Sequence, residues 1–220
     1  MEVPSHSIEA CLPSDRRREG FRQRIFDLVI GAGATIAFLP LMACLALVVR
    51  LDSSGPVFFR QERLGRNGVP FQIWKFRSMR HNSDDQQHRE AASAWFAGQP
   101  TEGGYKTLAD PRITRVGRFL RKTSLDELPQ LFNVLRGEMS LVGPRPGIRY
   151  ELDHYQPWYF ERQRVKPGMT GLWQVSGRER VSAKDMMALD VRYVRERTLW
   201  LDFRILLMTV PALLGRTRHG

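Results

Sequence analysis

The sequence predicts an α+β, mainly helical chain: a small domain with one β-hairpin behind a single apolar membrane segment. Three observations carry this. Leu28–Val49 is an uncharged run of 22 residues. Two β-prone runs flank Asn67-Gly68, a dipeptide that supplies the positive φ values of a tight turn. Beyond residue 110 the apolar positions recur mostly at helical spacing. At 220 residues there is room for one well-buried domain. The formal charge is +11, with 29 Arg against 5 Lys. Arginine's planar fork grips phosphate in bidentate fashion, and a GC-rich genome gives the same bias. Nucleic acid and anionic lipid both suit such a charge. Two cysteines, Cys11 and Cys44, are too few for a disulfide framework and read as reduced thiols on a cytoplasmic face.

Residues 1–20 read as a flexible polar leader, 21–50 as the membrane helix and 51–220 as the soluble domain. As a straight helix Leu28–Val49 would measure about 33 Å, enough to cross a hydrocarbon core of roughly 30 Å. Pro40 lies past its middle, where it removes a backbone hydrogen bond. Both flanks are basic, with Arg16, Arg17, Arg18, Arg22 and Arg24 before and Arg50, Arg60, Arg63 and Arg66 after. A spanning helix carries its positive flank on one side only. Two basic flanks are better satisfied by a re-entrant helix, broken at Pro40, that enters one leaflet and returns. A spanning helix and the buried core helix of a soluble protein are the alternatives.

The run from Val57 to Met79 reads as the hairpin. His81–Thr107 reads as a surface excursion with one short helix around Arg89–Phe96. Ile113, Val116, Phe119 and Leu120 mark a helix with arginines between them. Ser124-Leu-Asp-Glu127 has the form of a capping box opening a helix through Leu135. Gly143–Pro146 and Lys166–Gly171 read as turn-rich loops. Ser182 caps a helix running to about Arg197. Leu199–Leu214 reads as an amphipathic helix lying at the lipid interface.

Chemistry concentrates between Asp110 and Pro146, where seven Arg or Lys stand against four carboxylates. Adjacent carboxylates among guanidiniums suit a site that holds phosphate oxygens and a divalent cation together. Asp126 and Glu127 have two readings. Acids at a helix start complement the macrodipole. In this field of arginines they also stay ionised, as a nucleophile or metal ligand must. Arg145, between two prolines, is either an incidental turn residue or a phosphate clamp on a stiff loop. Lys75 and Arg77 read by default as strand-edge charges. Asp202 is a lone acid on an apolar helix and needs a partner, for which an arginine is the expectation. Trp158 and Trp173 read as packing residues. The five histidines show no metal-ligand spacing, and neither a Walker loop nor GxGxxG is present.

At four strings the chain resembles the bacterial sugar transferase family, the monotopic phosphoglycosyl transferases: GPVFFRQERLGRNGVPFQIWKFRSM, DPRITRVGRFLRKTSLDELPQLFNVLRGEMSLVGPRP, VKPGMTGLWQVSGR and LDVRYV…LWLDFRILLMT. The resemblance implies a small cytoplasmic catalytic domain on the inner membrane. It implies transfer of a sugar-1-phosphate from a UDP-sugar to polyprenyl (undecaprenyl) phosphate, with release of UMP. Asp126 is then the nucleophile that forms a phosphosugar–aspartate, Glu127 its partner, and Mg²⁺, held by both, the cofactor. Arg112, Arg121 and Arg145 match positions that hold phosphate, and Lys75 and Asp202 match polar positions near the site. Membrane lipid, a second copy of the chain and downstream glycosyltransferases are the further partners implied, in exopolysaccharide, O-antigen or glycoconjugate synthesis. The family often carries Ser-Pro at the helix break, where this chain has Leu39-Pro40. The alternative is a non-catalytic basic module bound to anionic lipid, which would need the arginines but not Asp126. A nucleic-acid binder would use exposed aromatics, and here the aromatics lie mainly in apolar stretches.

Overall fold

An apolar run of this length forms helix with or without a partner. In the computed structural model, which describes residues 14–80, 86–98, 110–177 and 181–213, Ser14–Asp52 is one helix, α1. It starts inside the segment read as a leader. It also continues through Pro40 without a change of secondary structure, so the expected break is a proline carried within a continuous helix. Losing one N–H donor need not end a helix whose turns on both sides stay bonded.

Both ends of α1 meet the rest of the protein. Near the start, Arg24 donates to the carbonyls of Val134 and Leu135 at 2.6 Å each. Asp27 Oδ1 accepts from Ser140 Oγ at 2.9 Å and Leu141 N at 3.0 Å. Near the end, Met42, Leu45 and Val49 pack with Phe76 and Leu120. Buried Arg77 donates to the carbonyls of Val49 (3.2 Å), Ser53 (2.6 Å) and Pro56. It caps the last turn of α1, where orphan carbonyls favour a cation, and is no strand-edge charge. Ile36, Leu39, Leu47 and Leu51 of α1 are all more than half exposed.

The hairpin forms as expected: β1 (Phe58–Leu64) pairs antiparallel with β2 (Pro70–Phe76), Phe58 opposite Phe76 and Leu64 opposite Pro70. Its turn uses φ 57° at Asn67 and 75° at Gly68. The excursion carries α2 (Gln86–Phe96), but Ala92 is fully buried and Trp95 packs with Tyr159, Met186 and Met187, so this helix is docked. Residues 81–85 and 99–107 of the excursion lie outside the described residues.

Thr114 caps α3 (Arg115–Thr123), its side chain accepting from Gly117 N. A Cβ at Gly117 would sit 1.9 Å from the Ser78 carbonyl oxygen, so only glycine lets α3 close on the end of the hairpin. The expected single helix from Ser124 to Leu135 is two pieces, a 3₁₀ turn (Leu125–Glu127) and α4 (Gln130–Arg136), with Pro129 between. Asn133, fully buried, completes the open edge of β2: Oδ1 accepts from Trp74 N at 3.0 Å, and Nδ2 donates to Gln72 O at 2.7 Å.

The loop expected at Lys166–Gly171 contains a strand, β4 (Gly168–Thr170), parallel to β3 (Ser140–Val142). Two glycines allow it, since a Cβ at Gly168 would lie 2.0 Å from Gly143 N. Arg149–His154 and Pro157–Arg164 are 3₁₀ segments with no counterpart in the sequence reading. The chain ends in α5 (Leu172–Ser176), α6 (Ala183–Glu196, capped by Ser182 as expected) and α7 (Leu199–Leu213). Ile205 of α7 is buried with Val142 and Tyr193, while Trp200, Leu207 and Val210 are exposed. The expected α+β, mainly helical class with one hairpin is what forms. Trp158 packs edge-on to Tyr159 at 4.4 Å, as a packing residue would.

Candidate active site

Three elements converge on one cavity of about 1020 Å³. The end of β2 contributes Lys75. The 3₁₀ turn contributes Asp126 and Glu127, and Arg121 comes from the last turn of α3. Arg112 and Arg145 arrive on loops. The cavity is also lined by Ala34 and Phe38 of α1 and by Leu206, Thr209 and Leu213 of α7. One cavity thus joins charged residues to the two helices that carry the exposed apolar faces.

Ser124 sets the geometry of the acidic pair. It adopts the left-handed conformation (φ 57°) and ends α3, its N–H reaching the Arg121 and Leu120 carbonyls. Its side chain makes no cap, so the expected capping box with Glu127 does not form. The Glu127 carboxylate turns instead to Lys75, with Nζ to Oε1 at 3.0 Å. Asp126, beside it, is only 4% exposed yet lines the cavity. Lys75 therefore lines the cavity beside Glu127, where the default reading had a strand-edge charge.

The arginines are held as well. Arg112 forks onto Asp110, with Nη2 to Oδ2 at 2.6 Å and Nε to Oδ1 at 2.9 Å. That hydrogen-bonded guanidinium holds the Asp110 carboxyl below its usual value. Arg145 Nη1 meets Glu151 Oε1 at 3.1 Å. Glu151 is fully buried, which alone would raise its pKa; the Arg145 and Arg63 guanidiniums, the Ile148 N–H and Arg162 together hold it below the ordinary value.

Asp202 is the one predicted site residue that the cavity leaves out. It is buried on α7, and its partner is the Tyr193 hydroxyl, which donates at 2.8 Å where an arginine was expected. Burial pushes its carboxyl up to about 6. Among the described residues no three His, Cys, Asp or Glu gather as a metal cluster. Two adjacent carboxylates still suit Mg²⁺, which binds through one or two carboxylates and takes its other ligands from phosphate and water.

Sequence reasoning missed Asp110, Thr170, Trp173 and Gln174, all of which line the cavity. It also missed Glu151, Arg162 and Asp190, which lie behind Arg145. Trp173, read as packing, keeps a buried Nε1 that finds no hydrogen-bond acceptor among the described residues. Glu151 and Arg162 lie in 3₁₀ segments without a readable periodicity, where a charged residue gives no signal of burial, while Asp190 lies on a helix that was read but whose packed face was not.

The chain is 46% identical over 201 residues to the undecaprenyl-phosphate galactose phosphotransferase of Salmonella typhimurium, covering 91% of this chain and 42% of that protein. It is 42% identical over 210 residues to the UDP-glucose:undecaprenyl-phosphate glucose-1-phosphate transferase of Caulobacter vibrioides, covering 92% and 73%. With the exopolysaccharide production protein ExoY of Rhizobium meliloti it shares 40% identity over 199 residues, covering 88% and 85%. The chain thus spans less than half the length of the Salmonella relative and most of the other two. The model of the bacterial sugar transferase family matches residues 18–216, and to that family this chain belongs.

Proposed function

We propose that this chain transfers a sugar-1-phosphate from a UDP-sugar to undecaprenyl phosphate at the cytoplasmic face of the bacterial inner membrane, the first membrane step in building an exopolysaccharide or related glycan. The observation that carries the reading is one cavity lined by both kinds of residue. Its charged residues suit a diphosphate, and its apolar lining includes α1 and α7, whose exposed apolar faces suit a lipid surface.

In this mechanism the Asp126 carboxylate attacks the phosphorus that bears the sugar. The bond from that phosphorus to the UMP oxygen breaks, and UMP leaves with the electron pair. The phosphosugar now sits on Asp126 as an acyl phosphate. An oxygen of the polyprenyl phosphate then attacks the same phosphorus, the acyl phosphate bond breaks and the aspartate is restored. Arg112, Arg121 and Arg145 neutralise phosphate oxygens while charge develops on the leaving UMP. Lys75 orients the Glu127 carboxylate through the 3.0 Å contact between its Nζ and Oε1. Asp126 and Glu127 are the residues that would hold Mg²⁺, which when bound neutralises diphosphate charge.

The same reading takes α1 as re-entrant. Arg24 and Asp27, just before its apolar run, are bonded to Val134, Leu135, Ser140 and Leu141, and its last turn is bonded to Arg77. A single domain binding both ends of an apolar helix favours both ends on one side of the bilayer.

The test is UMP release by purified, detergent-solubilised protein given Mg²⁺, polyprenyl phosphate and a panel of UDP-sugars. Turnover should require the lipid and stop on chelation of the metal. Asp126→Asn should lower it by at least about 10³-fold with an unchanged thermal midpoint. Full turnover in that variant would remove the covalent mechanism, and metal- and aspartate-independent lipid binding alone would favour a non-catalytic module.

A further inference from the structure

The segment Pro144–Gly147 carries Arg145 into the cavity, and two of its four residues have no N–H. Its position therefore depends on its carbonyls, and all four are bonded. Gly168 N donates to Pro144 O at 2.9 Å, and Leu64 N to Gly147 O at 2.9 Å. Arg63 Nη1 donates to Pro146 O at 3.3 Å, and Arg162 Nη2 to Arg145 O. Two of these four donors are buried guanidiniums.

Arg162 is 3% exposed, and its Nη2 also meets Asp190 Oδ2 at 2.6 Å. Its Nη1 donates to Tyr155 Oη at 2.6 Å. Glu151, 0% exposed, takes Arg145 Nη1 on Oε1 and Ile148 N on Oε2, the latter at 3.0 Å. Arg145 is thus gripped at both ends, its carbonyl by Arg162 and its guanidinium by Glu151. Neither of those residues lines the cavity.

Burying two arginines, a glutamate and an aspartate under a short loop is a costly way to hold it. Apolar residues of the same volume would often stabilise such a fold as well or better. What the charged network supplies, and apolar packing would not, is a fixed direction for one guanidinium. We propose that Glu151 and Arg162 are positioning residues that aim Arg145 at the diphosphate of the nucleotide donor. This rests on the reading that the cavity takes a nucleoside-diphosphate sugar.

UDP itself is the probe, since it carries the diphosphate and cannot transfer a sugar. Its Kd is measured by calorimetry in Mg²⁺ buffer for the full chain, Glu151→Gln, Arg145→Lys and the double variant. Each single change should weaken UDP about tenfold, in the range of supporting-residue losses at other sites. The double variant should be no more than about twofold weaker than the weaker single, because Glu151 acts only through Arg145. Unchanged affinity in either single variant, multiplied losses in the double, or no UDP binding by the parent chain would each overturn the proposal. If Glu151→Gln does not fold, Arg162→Lys, which keeps the charge and loses the fork, enters the same cycle with the same expected pattern. A parent chain that binds UDP with this pattern yet releases no UMP from any donor would remove the transferase mechanism and leave the positioning role intact.

Discussion

Asp202 is 1% exposed on α7, with the Tyr193 hydroxyl as its hydrogen-bond donor at 2.8 Å. Burial raises its carboxyl from 3.8 to about 6. A raised carboxyl binds its proton more tightly in the folded chain than in the unfolded one. Its contribution is therefore fully present below pH 4 and is lost as pH rises through about 6. Asp202→Asn mimics the protonated form, so the parent chain should lose roughly 3 kcal/mol relative to the variant between those two pH values. Thermal midpoints of both proteins from pH 4 to 7 in detergent would show it; parallel curves would mean that Asp202 is ionised throughout. The sequence marked Asp202 as needing a partner and could not say which, because Tyr193 reaches it only when α6 and α7 are packed. Lys75 and Arg77 make the same point. They stand two residues apart, alike in charge, yet one meets Glu127 and the other caps α1. Only the elements packed above them separate the two roles. Asp126, Glu127, Arg121 and Arg145, to which the dense charge of one short stretch and the family resemblance pointed, line one cavity.

Elements with their own periodicity or turn chemistry could be read directly. Asn67-Gly68 gave the hairpin, Ser182 the start of α6, and the apolar spacing after Ile113 gave α3. The failures came where a neighbour decides. β4 is three residues including a glycine, and it exists because Gly143 and Gly168 let two backbones approach. The Ser124 box fails because the end of α3 has already claimed that residue in a left-handed conformation. The joint between α3 and the hairpin is the most exacting of these contacts. Gly117→Ala places a methyl 1.9 Å from the Ser78 carbonyl oxygen, against backbone on both sides. The expected cost is about 3 kcal/mol, or a fall of roughly 10 °C in the thermal midpoint. Gly33→Ala, where nothing lies within 4 Å, is the control and should not lower the midpoint. Equal midpoints for the two variants would mean that α3 can shift away from Ser78 without loss.

For the molecule as a whole, the flanking arginines suggested a helix with both ends on one side, and the packing supplies a second reason. Gly20 and Ser54 lie near the ends of α1, and both are exposed. With Cys11 and Cys44 replaced by serine, Gly20→Cys and Ser54→Cys should both react with a membrane-impermeant maleimide in inside-out vesicles and neither in intact spheroplasts. Labelling of one from each side would establish a spanning helix. The contacts made by Asp27 also set a timetable for biosynthesis. Its partner Ser140 follows it by 113 residues, and the acceptors of Arg24 follow by 110 and 111. At ribosomal speeds this gap lasts on the order of ten seconds. During that interval an apolar helix is already available to the bilayer, while the groups that will hold Arg24 and Asp27 have not been made. Insertion of α1 is thereby expected to precede closure of the domain, so the nascent chain meets lipid before it has a cavity to bring there.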